Sequence, residues 1–459
     1  MLIRFKLENF KSFGKKQEIV MIPSKKIRNR DNHIINLESM QLLRLATFYG
    51  ANASGKSNLI EAIRFSKYVI ERKIPVESKK FYNRLYDMKA NKSSMFEYEI
   101  CLNNRFFAYG FNLNLHRGEI VSEWLYELNS EGNNQSMIFE RVTMDEEIVI
   151  GEKFNLSEAE KIRFETYAHD SAGDKATLFL SEMNRNKKID EDSNLNVFKL
   201  VFKWFEDILT TIKPNQKVTR FEYCYNDDGK STIDDIISIF DTGISKVKVE
   251  KISVVDLKSK LPSELIDKVM EDVEEKIVEL DEKTILNLSF RAEDIFFNIE
   301  CSKNDELKIT TIMMEHGVAD INFEFEEESD GTRRLFDLLD ILISKEKNKV
   351  YVVDELERSL HPKLTYRFVQ LFINQLVDRN VQLIFTTHES TLMDQENLLR
   401  RDEIWFIERD QENISNIYSL DRFNERYDKK LDKAYLQGRY GAIPIFKEVP
   451  DDFGGVKCL

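Results

Sequence analysis

Apolar and polar positions alternate from the first residues of the chain. Leu2, Ile3, Phe5 and Leu7, followed by Phe10 and Phe13, predict an early strand and a turn. Leu43 to Tyr49 is an almost unbroken apolar run, the pattern of a short strand buried on both faces. Gly50-Ala-Asn-Ala-Ser-Gly-Lys-Ser57 follows at once, and Leu59, Ile60, Ile63, Val69 and Ile70 then recur at helical spacing. Phe96 to Leu102 and Phe106 to Leu113 predict a hairpin around Asn103-Asn104, with a third strand from Ile120 to Leu128. Residues from about 155 to 215 predict helix, with Phe198, Val201, Phe202 and Phe205 on one face that reads as core. Residues 215 to 325 are less regular. Within them, Ser263 to Leu280 places Leu265, Ile266, Val269, Met270, Val273, Ile277 and Leu280 on one side of a helix whose other side is acidic. No heptad register persists there, so the segment predicts a compact insertion rather than a long coiled-coil arm.

Regularity returns from Ser329. A helix from about Thr332 leads to the strand Lys349 to Asp354, a helix from about Lys363 to Asn380, and the strand Val381 to Thr387, which ends at His388. Glu403 to Glu408 and Ile414 to Leu420 then predict a hairpin. Helices alternating with near-continuous apolar strands indicate an α/β fold with a parallel or mixed sheet flanked by helices. An antiparallel β layer and an inserted helical or α+β subdomain are added to it. The expected division is residues 1–150 and 326–459 as the two halves of one head, with 151–325 inserted.

Composition narrows the classes. With 459 residues, two or three domains are expected. A net charge of −14 excludes a general nucleic-acid coat. Lys11, Lys15, Lys16, Lys25, Lys26, Arg28 and Arg30 still crowd the N-terminal segment. They form either a solvated loop or a phosphate-backbone contact with salt-dependent affinity. Cys101, Cys224, Cys301 and Cys458 are scattered without metal spacing. The N-terminus interrupts its apolar residues with charge, and no run is long enough to span a bilayer. These features predict a soluble, cytoplasmic protein with no membrane partner.

The chemistry begins at Gly50 to Ser57, which fits G-x-x-x-x-G-K-[S/T] between a strand and a helix. Backbone N–H groups of such a loop (Gly50, Asn52, Ala53, Ser54, Gly55, Lys56, Ser57 and Asn58) converge on phosphate oxygens at a helix N-terminus. Lys56 is expected to reach the β and γ phosphates of ATP, and the Ser57 hydroxyl to ligate Mg²⁺. Asp354 and Glu355 end an apolar strand, where ligands sit in open α/β sheets. Asp354 is expected to hold Mg²⁺ and Glu355 to act as general base on the attacking water. Ser329-Asp-Gly331 opens a helix about 25 residues before Asp354 and can bind a phosphate, completed in trans by a second copy of the chain. His388, 34 residues after Asp354, is placed to donate a hydrogen bond to the γ-phosphate. Glu357-Arg-Ser-Leu-His361-Pro362 is the expected turn at a dimer interface, with His361 a packing residue.

Together these elements resemble the ABC-type ATPase heads of the SMC, RecF and overcoming-lysogenization-defect group, and most nearly the RloA and AbiLi-like AAA-type ATPases, of which the PARIS ATPase is one relative. The resemblance rests on Leu7 to Phe13, Gly50 to Asn58, Phe106 to Trp124, Ser329 to Arg334, Asp354 to Pro362, Phe385 to His388, Arg401 to Phe406 and Tyr435 to Pro444. It implies an ABC-type P-loop ATPase head that forms an ATP-sandwich homodimer, with higher oligomers open. It also implies a prokaryotic anti-phage or abortive-infection setting and a separately encoded effector such as a toxin or nuclease. The chain stops about 70 residues after His388, too soon for a Toprim nuclease domain in cis. Such ATPases use a glutamine at the metal and attacking water, but no glutamine lies between Lys56 and Gln135. Either Glu97, Glu99 or a backbone group substitutes or the loop differs, and no residue is assigned to that role. Two alternatives remain: a RecF-like repair ATPase that clamps DNA, and a switch that holds ATP with little turnover.

Overall fold

The structure is a computed structural model of the whole chain. It describes residues 1–27, 30–85, 91–129, 135–217, 225, 227–279, 284–292, 294–302, 307–317, 321–423 and 430–444. Arg28, Leu280, Cys224 and Cys458 therefore lie outside the described residues.

Two compact units are present. The first comprises Met1–Pro214, Glu346–Leu356 and Ile373–Leu459, and the second Asn215–Lys345 and Glu357–Phe372. Residues 151–214, read above with the insertion, thus fall in the first unit, and Ser329 to Lys345 in the second.

Alternation at the N-terminus builds an antiparallel sheet in the first unit. Its seven strands run in the order Glu147–Ile150, Gln135–Val142, Glu119–Leu128, Arg105–Asn114, Ser94–Leu102, Leu2–Glu8 and Gln17–Val20. The hairpin between Leu102 and Arg105 turns on Asn103 and Asn104, both left-handed at φ 49° and 59°. Two positive-φ residues let the turn follow the twist of its strands, which Asn tolerates better than most side chains.

The apolar runs build a second sheet in the same unit. Its order is Leu209–Ile212, Val350–Val353, Gln382–Thr386, Leu45–Tyr49, Ile404–Arg409 and Ser415–Ser419. The first five strands are parallel and the last pairs antiparallel. Parallel pairing places the ends of Leu45–Tyr49, Val350–Val353 and Gln382–Thr386 along one edge. The strand Leu209–Ile212 corrects the all-helical reading of residues 155–215: it pairs in register with Val350–Val353 directly after a turn of π-helix at Trp204–Ile208.

The helix Lys56–Glu71 joins the two sheets. Leu59, Ile60, Ile63 and Val69 share a buried cluster with Phe96 and Tyr98 of one sheet and Phe48, Val352 and Ile384 of the other. The Ser66 hydroxyl meets the Tyr98 hydroxyl at 2.6 Å, so even this polar pair is satisfied inside the core.

In the second unit, Lys246–Ile252, Lys308–Glu315, Ile295–Cys301 and Leu286–Ala292 form an antiparallel sheet, with Asn322–Glu324 pairing Lys308–Glu315. The helices Val254–Lys260 and Ser263–Glu279 contribute Leu257, Ile266 and Val273 to its core, opposite Phe297, Ile299 and Ile309. This agrees with the amphipathic helix expected over Ser263 to Leu280. Among the described residues no helix is long and apolar enough to cross a membrane.

Candidate functional site

The strand Leu45–Tyr49 ends where the glycine-rich loop begins, and the loop ends as the helix Lys56–Glu71 starts. Ala53 (φ 63°) and Gly55 (φ 115°) are left-handed, which folds the segment into a tight ring. Lys56 is buried, and its Nζ donates to the carbonyls of Gly50 at 2.7 Å and Ala51 at 3.1 Å. Ser57 and Asn52 are exposed. Ser54 is buried, and its hydroxyl has no hydrogen-bond partner among the described residues.

The two neighbouring strands end beside this loop. The Ser57 hydroxyl donates to Asp354 Oδ1 at 3.4 Å. Thr386, at the end of Gln382–Thr386, donates to the same Oδ1 at 2.6 Å. The Thr386 hydroxyl also accepts the backbone N–H of Glu355 at 2.8 Å, and its carbonyl accepts the N–H of Leu356 at 3.1 Å. Thr386 therefore ties both acidic residues to the adjacent strand. Glu355 has φ 49°, a region that costs a non-glycine residue about 1 kcal/mol or more and that collects at functional sites.

Burial pushes the Asp354 carboxyl above the usual carboxylate range. The hydroxyls of Thr386 and Ser57 and the Lys56 ammonium pull it back, while the charge of Glu355 pushes it further up. A hydroxyl and a carboxylate this close, on a buried edge that disfavours uncompensated negative charge, fit a small hard cation that keeps several waters. Among the described residues no cluster of three or more His, Cys, Asp or Glu could hold a metal alone, so phosphate and water oxygens would complete such a shell.

A cavity of about 720 Å³ lies beside the loop, within the range of small-molecule sites. Its lining includes Lys11, Asn58, Phe81, Tyr82, Arg409 and Asn413. Lys11 lies over the Phe81 ring at 4.7 Å and pairs with Glu61.

Other expected residues are placed as follows. His388 is exposed, two residues beyond the strand end; the residue that reaches Asp354 from that strand is Thr386. Ser329 and Gly331 belong to the second unit. There Ser329 caps the helix Asp330–Ile343, its hydroxyl accepting the Thr332 N–H at 3.2 Å. A Cβ on Gly331 would lie 2.8 Å from the carbonyl oxygen of Ser359, so this helix start and the turn after Asp354-Glu355-Leu356 touch backbone to backbone. Arg333 pairs with Asp294 at 2.9 Å and Arg291 with Asp337 at 2.5 Å, pinning the first two turns of the helix to the neighbouring sheet. His361 accepts the Lys363 N–H at 3.2 Å and so caps the next helix.

Glu97 and Glu99 are both bonded to Lys6, at 2.6 and 2.8 Å, and Glu99 also to Arg4 at 3.2 Å. Part of the basic N-terminal segment is likewise engaged. Besides Lys11, Lys15 faces Asp410 and Glu412 at 3.6 Å, and Arg30 donates to the Gln395 carbonyl.

The sequence reading had no means of assigning Thr386. A threonine at the end of a β-branched strand is what strand propensity alone would place there, and only the pairing of Val353 with Phe385 brings it to Asp354.

A phosphate-cradling loop between a parallel strand and a helix, with a carboxylate pair at the end of the second strand over, defines a P-loop nucleotide-binding head. The model of a family described as "AAA domain, putative AbiEii toxin, Type IV TA system" matches residues 45–394, about three quarters of the chain. The chain belongs to this family of AAA-type ATPase domains. No curated protein matches the sequence. Among solved structures, an SMC head bound to the C-terminal winged-helix domain of ScpA is 13% identical over 91% of this chain and 97% of that one, with a TM-score of 0.40. The SMC head domain from Thermotoga maritima is 14% identical over 91% and 98%, with a TM-score of 0.33. Both superpose too loosely for their partners or activities to transfer.

Proposed function

We propose that this chain binds ATP with Mg²⁺ at the strand ends of its parallel sheet, hydrolyses it, and dimerises around the nucleotide. The observation that carries this reading is the chain of contacts Ser57–Asp354–Thr386–Glu355, set against a phosphate loop whose Ser54 hydroxyl has no internal partner. Lys56, now satisfied by Gly50 and Ala51, has its ammonium within the ring where β and γ phosphates would sit. Ser57 and Asp354 are the residues that would hold Mg²⁺, which neutralises charge developing on phosphate oxygens. Glu355 takes the proton of the attacking water, held at the correct height by the Thr386 hydroxyl on its backbone N–H. His388 donates to the γ-phosphate oxygens. The base and ribose occupy the cavity that Phe81, Tyr82 and Asn413 help line.

In the dimer, Ser329 and Gly331 of a second copy close on the same nucleotide through a helix N-terminus. The family description names a toxin–antitoxin system. That supports a role in abortive infection; we infer further that the ATPase is cytoplasmic and controls a separately encoded effector. With Lys11, Lys15 and Arg30 engaged by neighbouring groups, no observation favours a DNA clamp.

Glu355→Gln tests the reading: hydrolysis is lost while ATP now holds a stable dimer in light scattering. A monomer with bound ATP would remove the dimer from the account, and unchanged turnover would remove Glu355 as base.

A further inference from the structure

The phosphate loop is gripped from behind by a residue 361 positions away in the chain. Ser415 opens the last strand of the central sheet and is fully buried. Its hydroxyl donates to the Ser54 carbonyl at 2.5 Å. Its own N–H donates to the Ser12 carbonyl at 2.9 Å. The Ser12 hydroxyl in turn accepts from Asn58 Nδ2 at 2.8 Å, in the first turn of the helix after the loop. A Cβ on Gly55 would lie 2.5 Å from the Ser415 hydroxyl and 2.7 Å from that of Ser12. The two serines therefore occupy the space behind Gly55 and contact the loop on both sides of it.

The consequence follows from peptide geometry. The Ser54–Gly55 peptide is trans, so the Ser54 carbonyl and the Gly55 N–H point in opposite directions from one planar unit. With the carbonyl fixed toward Ser415, the Gly55 N–H is turned to the other side, and no described group accepts it. A free peptide plane in a glycine loop could flip between two orientations, because Gly tolerates both signs of φ. The Ser415 bond selects one, with the donor presented to an incoming anion.

We infer that Ser415 is a positioning residue for nucleotide binding, acting through the Ser54–Gly55 peptide, with Ser12 as its partner. The inference rests on the ATP-binding reading above and adds that the hairpin after Ile404–Arg409 belongs to the site. The same turn supplies Arg409 and Asn413 to the adjoining cavity. Its shape is held by Asp410, whose carboxylate accepts the N–H groups of Glu412 at 3.0 Å and Ile414 at 2.9 Å. Pre-orientation of a donor lowers the cost of binding an anion and leaves the hydrolytic groups Glu355 and Thr386 untouched.

The test is titration calorimetry of the full chain with MgATP and with inorganic tripolyphosphate, alongside steady-state hydrolysis. Ser415→Ala is expected to weaken both ligands about tenfold, as loss of a buried hydrogen bond implies. Its kcat at saturating ATP is expected to stay within about twofold of wild type, and Ser415→Thr to recover the affinity by restoring the hydroxyl. Ser12→Ala should weaken tripolyphosphate in the same direction. Wild-type affinity in Ser415→Ala overturns the inference. So does a proportional fall in kcat and affinity that Ser415→Thr fails to relieve, which marks a merely structural residue. If the wild-type chain itself binds neither ligand, the ATP reading fails instead.

Discussion

The two edges of the parallel sheet share the same strands and are built on opposite principles. Where the strands begin, buried polar groups bond mostly to one another. Glu403, just before Ile404–Arg409, meets His33 Nδ1 at 2.9 Å and accepts the Arg400 N–H at 2.8 Å. Arg400 forks onto Asp402 at 2.8 and 3.0 Å. Arg44, just before Leu45–Tyr49, donates to the carbonyls of Asn32 at 2.7 Å and Ile373 at 2.9 Å. Gln382 bonds to Leu2 and Leu43. Where the same strands end, Ser57 is exposed, the Ser54 hydroxyl lacks a partner among the described residues and Glu355 sits in a strained conformation. One edge bonds its polar groups mostly to one another, and the other carries the exposed Ser57 and the strained Glu355. Charge alone does not distinguish a binding edge from a structural one; exposure and backbone strain at the strand ends do.

The largest effects should separate the two edges by kind. Glu355→Gln is expected to lower kcat by about 100-fold or more, the usual worth of a general base, with ATP affinity retained. Lys56→Ala is expected to weaken ATP binding by about 10- to 100-fold, the range for a charged hydrogen-bonding group, with little change in the unfolding midpoint in denaturant. Glu403→Ala should do the reverse. Removing one partner of a buried charged cluster costs about 3–5 kcal/mol of stability, read by denaturant unfolding, while the folded protein binds ATP as before. If Glu403→Ala instead left stability intact and changed ATP affinity, the division between the edges would be wrong.

An intermediate effect is expected at Thr386. Thr386→Val keeps the shape of the side chain but removes the bonds to Asp354 and Glu355 N–H. Loss of the first bond should raise the Asp354 pKa further, since the Thr386 hydroxyl, with that of Ser57, offsets part of the effect of burial. Weaker Mg²⁺ dependence and a roughly tenfold lower kcat follow, checked by titrating Mg²⁺ in the hydrolysis assay. Equal Mg²⁺ response in both proteins would mean Thr386 only fills space.

The smallest effect concerns the turn at Asp410. Its carboxyl is held below the ordinary range, first by the Ile414 N–H and then by Asn416, Glu412 and Lys15. A depressed folded pKa means the contribution is fully present above the unfolded value of about 3.9 and is lost as pH falls through the lower folded value. Between pH 5 and 8 the turn should therefore be insensitive to pH, and Asp410→Asn should only modestly speed hydrogen exchange at Ile414. A pH-dependent loosening of this turn near neutrality would contradict the assignment.

Much of this contrast could be read in the sequence, for reasons that differ by residue. The loop, its flanking strand and helix, and the pair Asp354-Glu355 are contiguous, so local pattern reveals them. In the sequence, Arg401 to Phe406 shows only the start of a strand and part of the family resemblance. The structure shows Asp402 and Glu403 serving the buried edge, a use that depends on residues 33 and 400 being brought together by folding. Leu209–Ile212 escaped notice because four residues within an aromatic helical run carry too short a period to separate strand from helix. Thr386 and Ser415 act across strand pairs or from 361 residues away, and nothing in their own neighbourhoods marks them. The proposed closure by Ser329 and Gly331 would be a property of two chains, and one chain shows Ser329 only as the cap of a helix start.

The most direct test of the central claim is calorimetric titration of the intact protein with ATP, in Mg²⁺ and then in EDTA, for wild type and Lys56→Ala. The account predicts one saturable site in wild type, tighter with Mg²⁺ than with EDTA, and a large loss of affinity in Lys56→Ala at unchanged stability. Equal ATP affinity in wild type and Lys56→Ala would contradict it.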